Sequence, residues 1–273
     1  MNEEENYIEI NRQSWNNRVD THLRSEFYDQ KGFMSGKTSL KEIELNLLGD
    51  LKGKSVLHLQ CHFGQDSISL SRLGAKVTGV DLSDKAIESA KQIAKECGTD
   101  TKFICCNIYD LSDHLQEKFD LVFTSYGTIG WLPDLDRWAK LISHFLKPNG
   151  QFVFVEFHPV VWMYDDNFEK VAYNYFKAEA IVETESGTYA DKKAEIKQTS
   201  VSWNHSMSEV VNSLVKNGME LNSLDEFDYS PYNCFNKTVE SEPGKFRIES
   251  FENKIPMVYA VVAKKQDVES DEL

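Results

Sequence analysis

The feature that most constrains the fold of this chain is an alternation of short apolar runs and amphipathic stretches, which extends from Ser55 to about Lys264. The apolar runs are rich in β-branched and aromatic residues, as buried strands are. Strands that alternate with helix-length amphipathic stretches are typical of a parallel sheet with helices on both faces. The predicted strands span residues 55–60, 76–81, 102–106, 119–124, 151–157, 221–227 and 257–263. We therefore predict an α/β fold with a seven-stranded, mostly parallel sheet.

Helix signals separate several of these strands. Ser83 is a suitable N-cap for a crossover helix whose apolar positions share one face, and Gly98 follows that helix as a stop signal. A second helix is predicted over residues 135–145, and a turn at 147–150 leads into the next strand. A third helix is predicted to run from Ser206 to Gly218. Helices in these positions are the crossovers that a parallel sheet requires.

Two regions fall outside this alternation. Residues 1–50 precede the first predicted strand, and the spacing of their apolar residues predicts helices that cover the sheet. Residues 160–205 stand where a short connection would suffice, and the runs 170–176 and 181–201 predict an inserted β-ribbon after the fifth strand. We therefore predict an N-terminal helical cap (1–50), a main domain (51–267) with an insertion at about 160–205, and a disordered tail (268–273).

Composition limits the possible partners. The chain carries 44 acidic and 30 basic residues, a formal charge of -14, and such a field repels nucleic-acid backbones and anionic lipid. No apolar run approaches the roughly 20 residues that cross a bilayer. The 5 cysteines are odd in number and form no C-x-x-C pair, which fits a reducing compartment. We predict a cytoplasmic monomer or homodimer with no general nucleic-acid binding and no membrane attachment.

The turn after the first predicted strand reads QCHFGQD, residues 60–66, and leads into a helix. Ligands of open α/β sheets bind beyond the carboxyl ends of the strands, where helix N-termini offer free N–H groups. Gly64 permits close backbone approach, although tight turns also use glycine without a ligand. Asp81 ends the second strand about 20 residues later, where a carboxylate accepts hydrogen bonds from two ribose hydroxyls. The alternative for Asp81 is a helix N-cap, in competition with Ser83.

Polar and aromatic residues also follow the third and fourth predicted strands. Asn107 offers an amide to an adenine amino group, and Ile108 and Tyr109 offer apolar surface to its ring. The stretch that ends the fourth strand is similar: Thr124, Ser125, Tyr126 and, further on, Trp131. The alternative for this stretch is a capped helix start that Trp131 packs against. Together the strand ends predict a nucleoside site.

Five segments in this order resemble class I S-adenosylmethionine-dependent methyltransferases over most of residues 50–265: VLHLQCHFG, VTGVDLS, FICCNIYDL, FDLVFTSYGTIGWLPD and FLKPNGQFVFVEF. The loop motif LHLQCHFGQD further resembles a group of bacterial members that act on small molecules. Members of the family typically have aspartate at the position of His58 and glycine at Gln60 and His62. We expect Gln60 and His62 to be tolerated only where their φ angles are negative.

The resemblance implies a Rossmann-like fold, S-adenosylmethionine as cofactor, S-adenosylhomocysteine as product and a small-molecule methyl acceptor. It also implies that the strand-end residues bind the cofactor. These are His58, Gln60, Cys61, His62, Gly64, Asp66, Asp81, Leu82, Asn107, Ile108, Tyr109, Thr124, Ser125 and Tyr126.

Methyl transfer of this kind depends mainly on in-line positioning and exclusion of water, but a hydroxyl or protonated amine acceptor also needs a base. Candidate bases are His158, which we place first, Tyr126, Glu156 and His62. The alternative for His158 is a structural histidine in the turn before Pro159. The predicted acceptor pocket is roofed by residues 1–50 and 160–205 and contains Trp15, Arg18, His22, Trp131, Glu156 and Trp162.

Two other functions remain open from the sequence. A nicotinamide-dependent oxidoreductase would share the first half of the fold and Asp81, but it would need a fuller glycine loop. A catalytically degenerate S-adenosylmethionine-binding protein would retain the site without transferring a methyl group. A metal site at His58, Cys61 and His62 is disfavoured because neighbouring strand-end residues point in alternate directions and no fourth ligand follows.

Overall fold

The computed structural model describes residues 6–266. The α-helices are Tyr7–Arg24 (α1), Gln30–Met34 (α2), Glu42–Leu48 (α3), Gln65–Arg72 (α4), Asp84–Glu96 (α5), Leu135–Phe145 (α6) and Met207–Lys216 (α7). The strands are Ser55–Leu59 (β1), Lys76–Asp81 (β2), Lys102–Cys105 (β3), Phe119–Ser125 (β4), Leu146–Phe157 (β5), Ile181–Ser186 (β6), Lys197–Ser202 (β7), Met219–Phe227 (β8), Thr238–Glu242 (β9), Lys245–Ile248 (β10) and Val258–Lys265 (β11). Short 3-10 helices span Ile108–Asp113, Ile129–Trp131 and Val161–Met163.

A seven-stranded sheet of order β3-β2-β1-β4-β5-β11-β8 forms the centre of the molecule. The first five strands of that order pair in parallel, whereas β11 is antiparallel to both β5 and β8. All the predicted strands occur in this sheet, which confirms the predicted fold class. The parallel strands put their carboxyl ends at one edge, next to the reversal of strand order between β1 and β4.

The largest error in a strand boundary is at β5, which begins at Leu146 rather than at residue 151. Leu146 already pairs with Phe119, and the next pair joins Leu121 to Gln151. The predicted turn at 147–150 is therefore an irregularity inside β5. Between these two pairs β5 has four residues and β4 has one, so β5 bulges away from β4.

Helices cover both faces of the sheet because each buries one apolar stripe. On one face, α6 and α7 contribute Trp138, Ile142 and Leu214 to a cluster with the inward side chains of β1 and β4. On the other face, α4 and α5 contribute Ile68 and Ile87 to a second cluster. The predicted start of α5 agrees with the structure: the Ser83 hydroxyl accepts a hydrogen bond from the Ala86 N–H at 3.0 Å.

The N-terminal helices lie over the edge of the sheet where the site is expected. Helix α1 packs against α5 and β7, and α3 packs against β5. Asn11 ties α1 to β7, because its amide donates to the Val201 carbonyl at 2.8 Å and accepts from the Val201 N–H at 2.9 Å. These contacts place α1 between the main sheet and the insertion.

The insertion contains the predicted ribbon in part. Strands β6 and β7 form an antiparallel hairpin joined by residues 187–196. The prediction of further ribbon at 170–176 is wrong: this stretch forms only an isolated bridge between Tyr164 and Val171, and Val171 and Phe176 are 58% and 67% exposed. Without a partner strand or a covering surface, the apolar residues do not form a ladder.

A second hairpin, formed by β9 and β10, escaped prediction because both strands are short and β9 is mostly exposed and polar. The predicted tail at 268–273 lies outside the described residues. Within residues 6–266, no helix combines the length and the apolar character that a bilayer crossing requires.

Candidate active site

A cavity of about 1070 Å³ opens at the carboxyl ends of β1 to β5. Its floor is built from the residues that follow these strands, and helix α1 and the β6–β7 insertion contribute the opposite walls. Most of the predicted cofactor residues line it: His58, Gln60, Cys61, His62, Gly64, Asp66, Asp81, Leu82, Asn107, Ile108, Ser125 and Tyr126. The topology therefore gathers residues that are far apart in the chain into one site.

The turn after β1 has the backbone of a glycine loop. Gln60 has φ = 54°, His62 has φ = 50° and Gly64 has φ = 80°. The expectation that Gln60 and His62 keep negative φ angles is therefore wrong, and each pays a left-handed penalty of about 1 kcal/mol. Gly64 is the position where no side chain fits, because a Cβ there would lie 2.7 Å from the Phe103 ring.

Side chains of this turn hold it to the rest of the site. The Gln60 amide donates to the Thr128 carbonyl at 2.8 Å, and its buried Oε1 has no partner within the described residues. His62 Nε2 lies 2.9 Å from His22 Nδ1. Below the turn, His58 Nδ1 contacts the Ser67 hydroxyl at 2.7 Å, and burial lowers the pKa of His58 to about 4. His58 is thus neutral at pH 7, and its side chain forms a structural hydrogen bond to Ser67 of α4.

Asp81 connects the turn to the next strand. One carboxylate oxygen accepts from the His62 N–H at 2.7 Å and the other from the Ser83 N–H at 2.9 Å. Burial raises the pKa of Asp81 to about 6 despite these two bonds. An ionised carboxylate has further lone pairs for a ligand, so the Asp81 side chain can hold the loop and accept from ribose together. Ser83, not Asp81, caps α5.

Two predicted cofactor residues do not line the cavity. The Tyr109 hydroxyl donates to the Asp134 carbonyl at 2.6 Å, which turns its ring toward the start of α6. The Thr124 hydroxyl donates to the Leu59 carbonyl at 3.2 Å inside the sheet. Both side chains are occupied by local structure, which a motif cannot reveal.

Glu156 lines the cavity but is not available as a base. Its buried carboxylate accepts from the N–H groups of Gly127, Thr128 (2.7 Å), Ile129 (3.3 Å) and Phe157 (2.7 Å) and from the Thr128 hydroxyl at 3.0 Å. Burial raises the pKa of Glu156, and these hydrogen bonds oppose that rise. The structure makes Glu156 the anchor of the loop after β4, contrary to its predicted role as base.

His158, the first-choice base, does not line the cavity. Its Nδ1 accepts from the Val160 N–H at 3.2 Å, and its Nε2 lies 2.8 Å from Glu226 Oε1. The position suits the alternative of a structural histidine in the turn. His22 is likewise absent from the wall, since it is fully buried behind His62.

The remaining members of the predicted acceptor pocket line the cavity. Trp15, Arg18, Trp131 and Trp162 reach it from α1, from the loop after β4 and from the insertion. Arg18 lies over the Trp15 ring, with its guanidinium carbon 4.9 Å from the ring centroid. Of the candidate bases, Tyr126 and His62 line the cavity without the occupied lone pairs of Glu156.

Tyr126 contacts a residue that the sequence analysis missed. Its hydroxyl donates to Glu44 Oε2 at 2.9 Å, and Glu44 is fully buried in α3. Burial and the neighbouring Asp66 raise the pKa of Glu44 to about 7. The available signal was a carboxylate in the apolar i, i+4, i+8 row of Leu40, Glu44 and Leu48.

Tyr189 was also missed. It lies in the loop of the β6–β7 hairpin, lines the cavity and has its hydroxyl 2.5 Å from the Tyr28 hydroxyl. This contact joins the insertion to the N-terminal helices across the cavity. No sequence periodicity marks a single loop tyrosine.

Within residues 6–266, no group of three or more metal-binding side chains is assembled.

Comparisons with known proteins agree with this geometry. Residues 56–150 match the family described as methyltransferase domain. An uncharacterised protein of Haemophilus influenzae is 25% identical over 231 residues, 77% of this chain and 87% of its own length. A ubiquinone biosynthesis O-methyltransferase of Idiomarina loihiensis is 30% identical over 136 residues, 48% of this chain. That match spans 56% of the relative, so the chain spans about half the length of the named enzyme.

Solved structures share the fold. The geranyl diphosphate C-methyltransferase of Streptomyces coelicolor superposes with a TM-score of 0.59 at 16% identity, covering 95% of this chain and 97% of the other. The family match shows a methyltransferase domain at residues 56–150, and most of the chain shares the fold of solved S-adenosylmethionine-dependent methyltransferases. The resemblance seen in the sequence, the enzyme class and S-adenosylmethionine as the cofactor are thereby confirmed.

Proposed function

We propose that the protein transfers a methyl group from S-adenosylmethionine to a hydroxyl of a small, partly apolar acceptor. The observation that carries the proposal is the placement of Asp81 and the β1 turn on the floor of one cavity with aromatic walls. The similarity to an O-methyltransferase over 136 residues supports a hydroxyl as the acceptor group.

The residues of this chain fit the cofactor. Asp81 would accept hydrogen bonds from the ribose of the cofactor. The adenine would be bordered by Asn107, Leu82 and Ile108. Gln60 Oε1, which has no partner within the described residues, would accept a hydrogen bond from an amino group of the cofactor. S-adenosylmethionine supplies an electrophilic methyl group on a sulfonium. The chain contributes position, and its walls of Trp15, Trp131 and Trp162 exclude water from the reaction.

Calorimetric titration of the purified protein tests the cofactor part of the proposal. We expect saturable binding of S-adenosylmethionine and S-adenosylhomocysteine, and no binding of NAD. A second assay follows the transfer of labelled methyl to a panel of phenols, enols and small acids. Binding of NAD alone would contradict the proposal, and cofactor binding without transfer to any hydroxyl would favour a degenerate binding protein.

The Tyr126–Glu44 pair is the proton acceptor that the geometry supports best. Burial raises the pKa of Tyr126 well above 10, so its hydroxyl is protonated at pH 7. It can accept the proton of the acceptor hydroxyl at its oxygen while it passes its own proton to the Glu44 carboxylate, 2.9 Å away. Glu44 must be ionised for this step.

We therefore expect kcat to rise with pH through about 7, the pKa of Glu44. Glu44→Gln should remove this rise, and Tyr126→Phe should lower kcat by roughly 100-fold, the lower range for a lost acid–base group. Tyr109→Phe is the matched control because Tyr109 lies outside the cavity. Steady-state kinetics check these expectations over a range from about pH 5 to about pH 9, which extends about two pH units on either side of the inflection. A Glu44→Gln profile with the same inflection would exclude this role.

The same pKa shift has a consequence for stability that needs no acceptor. Since the pKa of Glu44 is higher in the folded state than its ordinary value of 4.5, its contribution to stability is present at low pH and is lost as pH rises through about 7. Glu44→Gln should flatten this part of the stability profile in thermal unfolding.

A further inference from the structure

Arg18 is a buried cation that has no ion-pair partner within residues 6–266. Its side chain lines the cavity, yet the residue is only 4% exposed. Its Nε has no hydrogen-bond partner, and within residues 6–266 no carboxylate lies within ion-pair distance of its guanidinium. Two indole rings flank it, with centroids 4.9 Å (Trp15) and 5.6 Å (Trp131) from the guanidinium carbon.

The surrounding groups do not neutralise this charge. Burial lowers the pKa of Arg18, but an arginine stays protonated in proteins. Tyr28 and Tyr189 bond to each other and keep their protons, because burial raises both pKa values. His22 and His62 are neutral, since burial lowers the pKa of His22 to about 3 and that of His62 well below its ordinary value.

Glu185 of β6 is the acid whose field reaches Arg18, but its side chain is exposed and forms no ion pair with it. The cavity wall therefore carries at this point a positive charge that no ion pair within residues 6–266 compensates. A buried, unpaired charge is costly, and it persists where a ligand completes the pair.

The chemistry of the group defines what it would bind. A guanidinium presents a planar fork of N–H donors that matches a carboxylate in a bidentate pair. The two indole rings hold the fork in place by cation–π contact and shield it from water, which strengthens a charge-assisted bond. A molecule in the cavity with a carboxylate would satisfy the orphaned donor.

The position along α1 limits which part of a ligand reaches Arg18. Tyr7 lies next to Asn107, at the end of the cavity assigned to adenine. Arg18 is eleven residues further along the same helix, which corresponds to about 16 Å. A ligand whose base borders Asn107 would therefore need an acid group at about this distance from the base to meet Arg18.

We propose that Arg18 is the carboxylate-binding residue of the cavity, a ligand role that rests on the proposed function. It forms a bidentate pair with an acid group of the bound cofactor or of the acceptor, between the rings of Trp15 and Trp131.

The test compares Arg18→Met with Arg12→Met, the matched control on the same helix, because Arg12 is outside the cavity and paired with Glu9 and Asp84. The probes are S-adenosylhomocysteine, methylthioadenosine, which lacks the amino-acid end, and benzoate, added to the protein with and without S-adenosylhomocysteine. Affinities are measured by calorimetry, and the stability of the ligand-free protein by thermal unfolding.

If the cofactor supplies the carboxylate, Arg18→Met weakens the binding of S-adenosylhomocysteine at least about tenfold and leaves the affinity for methylthioadenosine unchanged. If the acceptor supplies it, both adenosyl compounds bind unchanged and Arg18→Met abolishes benzoate binding. In either case Arg18→Met raises the unfolding midpoint of the ligand-free protein, since it removes an unpaired buried charge.

The proposal is overturned if Arg18→Met changes neither S-adenosylhomocysteine affinity nor benzoate binding, or if it behaves like Arg12→Met in all measurements. Arg18→Lys, which keeps the charge but not the fork, gives a second variant and should restore only part of the affinity. If the wild type binds neither adenosyl compound, the proposed function fails, and Arg18-dependent binding of benzoate to the free protein still decides the role of Arg18.

Discussion

Glu156→Ala is expected to destabilise the protein by about 3 kcal/mol, because it leaves several buried N–H groups without an acceptor. The carboxylate holds the N–H groups of Gly127, Thr128 and Ile129, which shape the loop after β4. Burial raises the pKa of Glu156, which shows that burying the carboxylate has a cost. This cost offsets part of the stability that the hydrogen bonds of the carboxylate contribute. Denaturant unfolding measures the loss directly.

Glu220→Ala is the control, since Glu220 is an exposed residue of β8 and its loss should change stability by no more than about 0.5 kcal/mol. Glu156→Gln keeps the shape but offers one acceptor oxygen, and it should fall between the wild type and Glu156→Ala. Equal unfolding free energies for Glu156→Ala and Glu220→Ala would show that the loop does not depend on Glu156.

Asp81→Ala is expected to weaken S-adenosylhomocysteine binding by roughly 100-fold, equivalent to about 2.7 kcal/mol. The variant loses the predicted ribose acceptor, and it also releases the His62 N–H, which Asp81 holds at 2.7 Å. Calorimetric titration measures the effect. Asp100→Ala, at an exposed position outside the cavity, should bind as the wild type does.

The affinity of the wild type should also depend on pH. Because burial raises the pKa of Asp81 to about 6, the carboxylate becomes protonated as the pH falls through that value and loses acceptor capacity. S-adenosylhomocysteine binding should therefore weaken below about pH 6, and Asp81→Ala should lack this dependence. Unchanged affinity in Asp81→Ala would refute the assignment of Asp81 to the ribose.

The arrangement of the main sheet was predictable because its signals are local. Strand periodicity, the Ser83 cap and the short connections each depend on neighbouring residues, and parallel pairing with crossover helices leaves few topologies. The β9–β10 hairpin lacked such a signal, since the mostly polar β9 gives no alternation and β10 is only four residues long.

The candidate site was predictable only where position along a strand decides it. Asp81 and Asn107 follow strands that the pattern places side by side, so their place in the cavity lining was predictable. Glu44 and Tyr189 were not found, because each comes from a segment far from the strand ends in sequence. Glu44 contacts Tyr126 from a helix before the sheet, and Tyr189 lines the cavity from the loop of a hairpin in the insertion.

The sequence by itself thus determined the fold class, the family resemblance and the strand ends that line the cavity. Only the tertiary structure decided that Glu156 anchors a loop, that His158 lies outside the cavity lining and that Arg18 lines the cavity with no ion-pair partner within residues 6–266. The physical reason is that hydrophobic periodicity reports on a few adjacent residues, whereas the partner of a buried polar group depends on packing between distant segments.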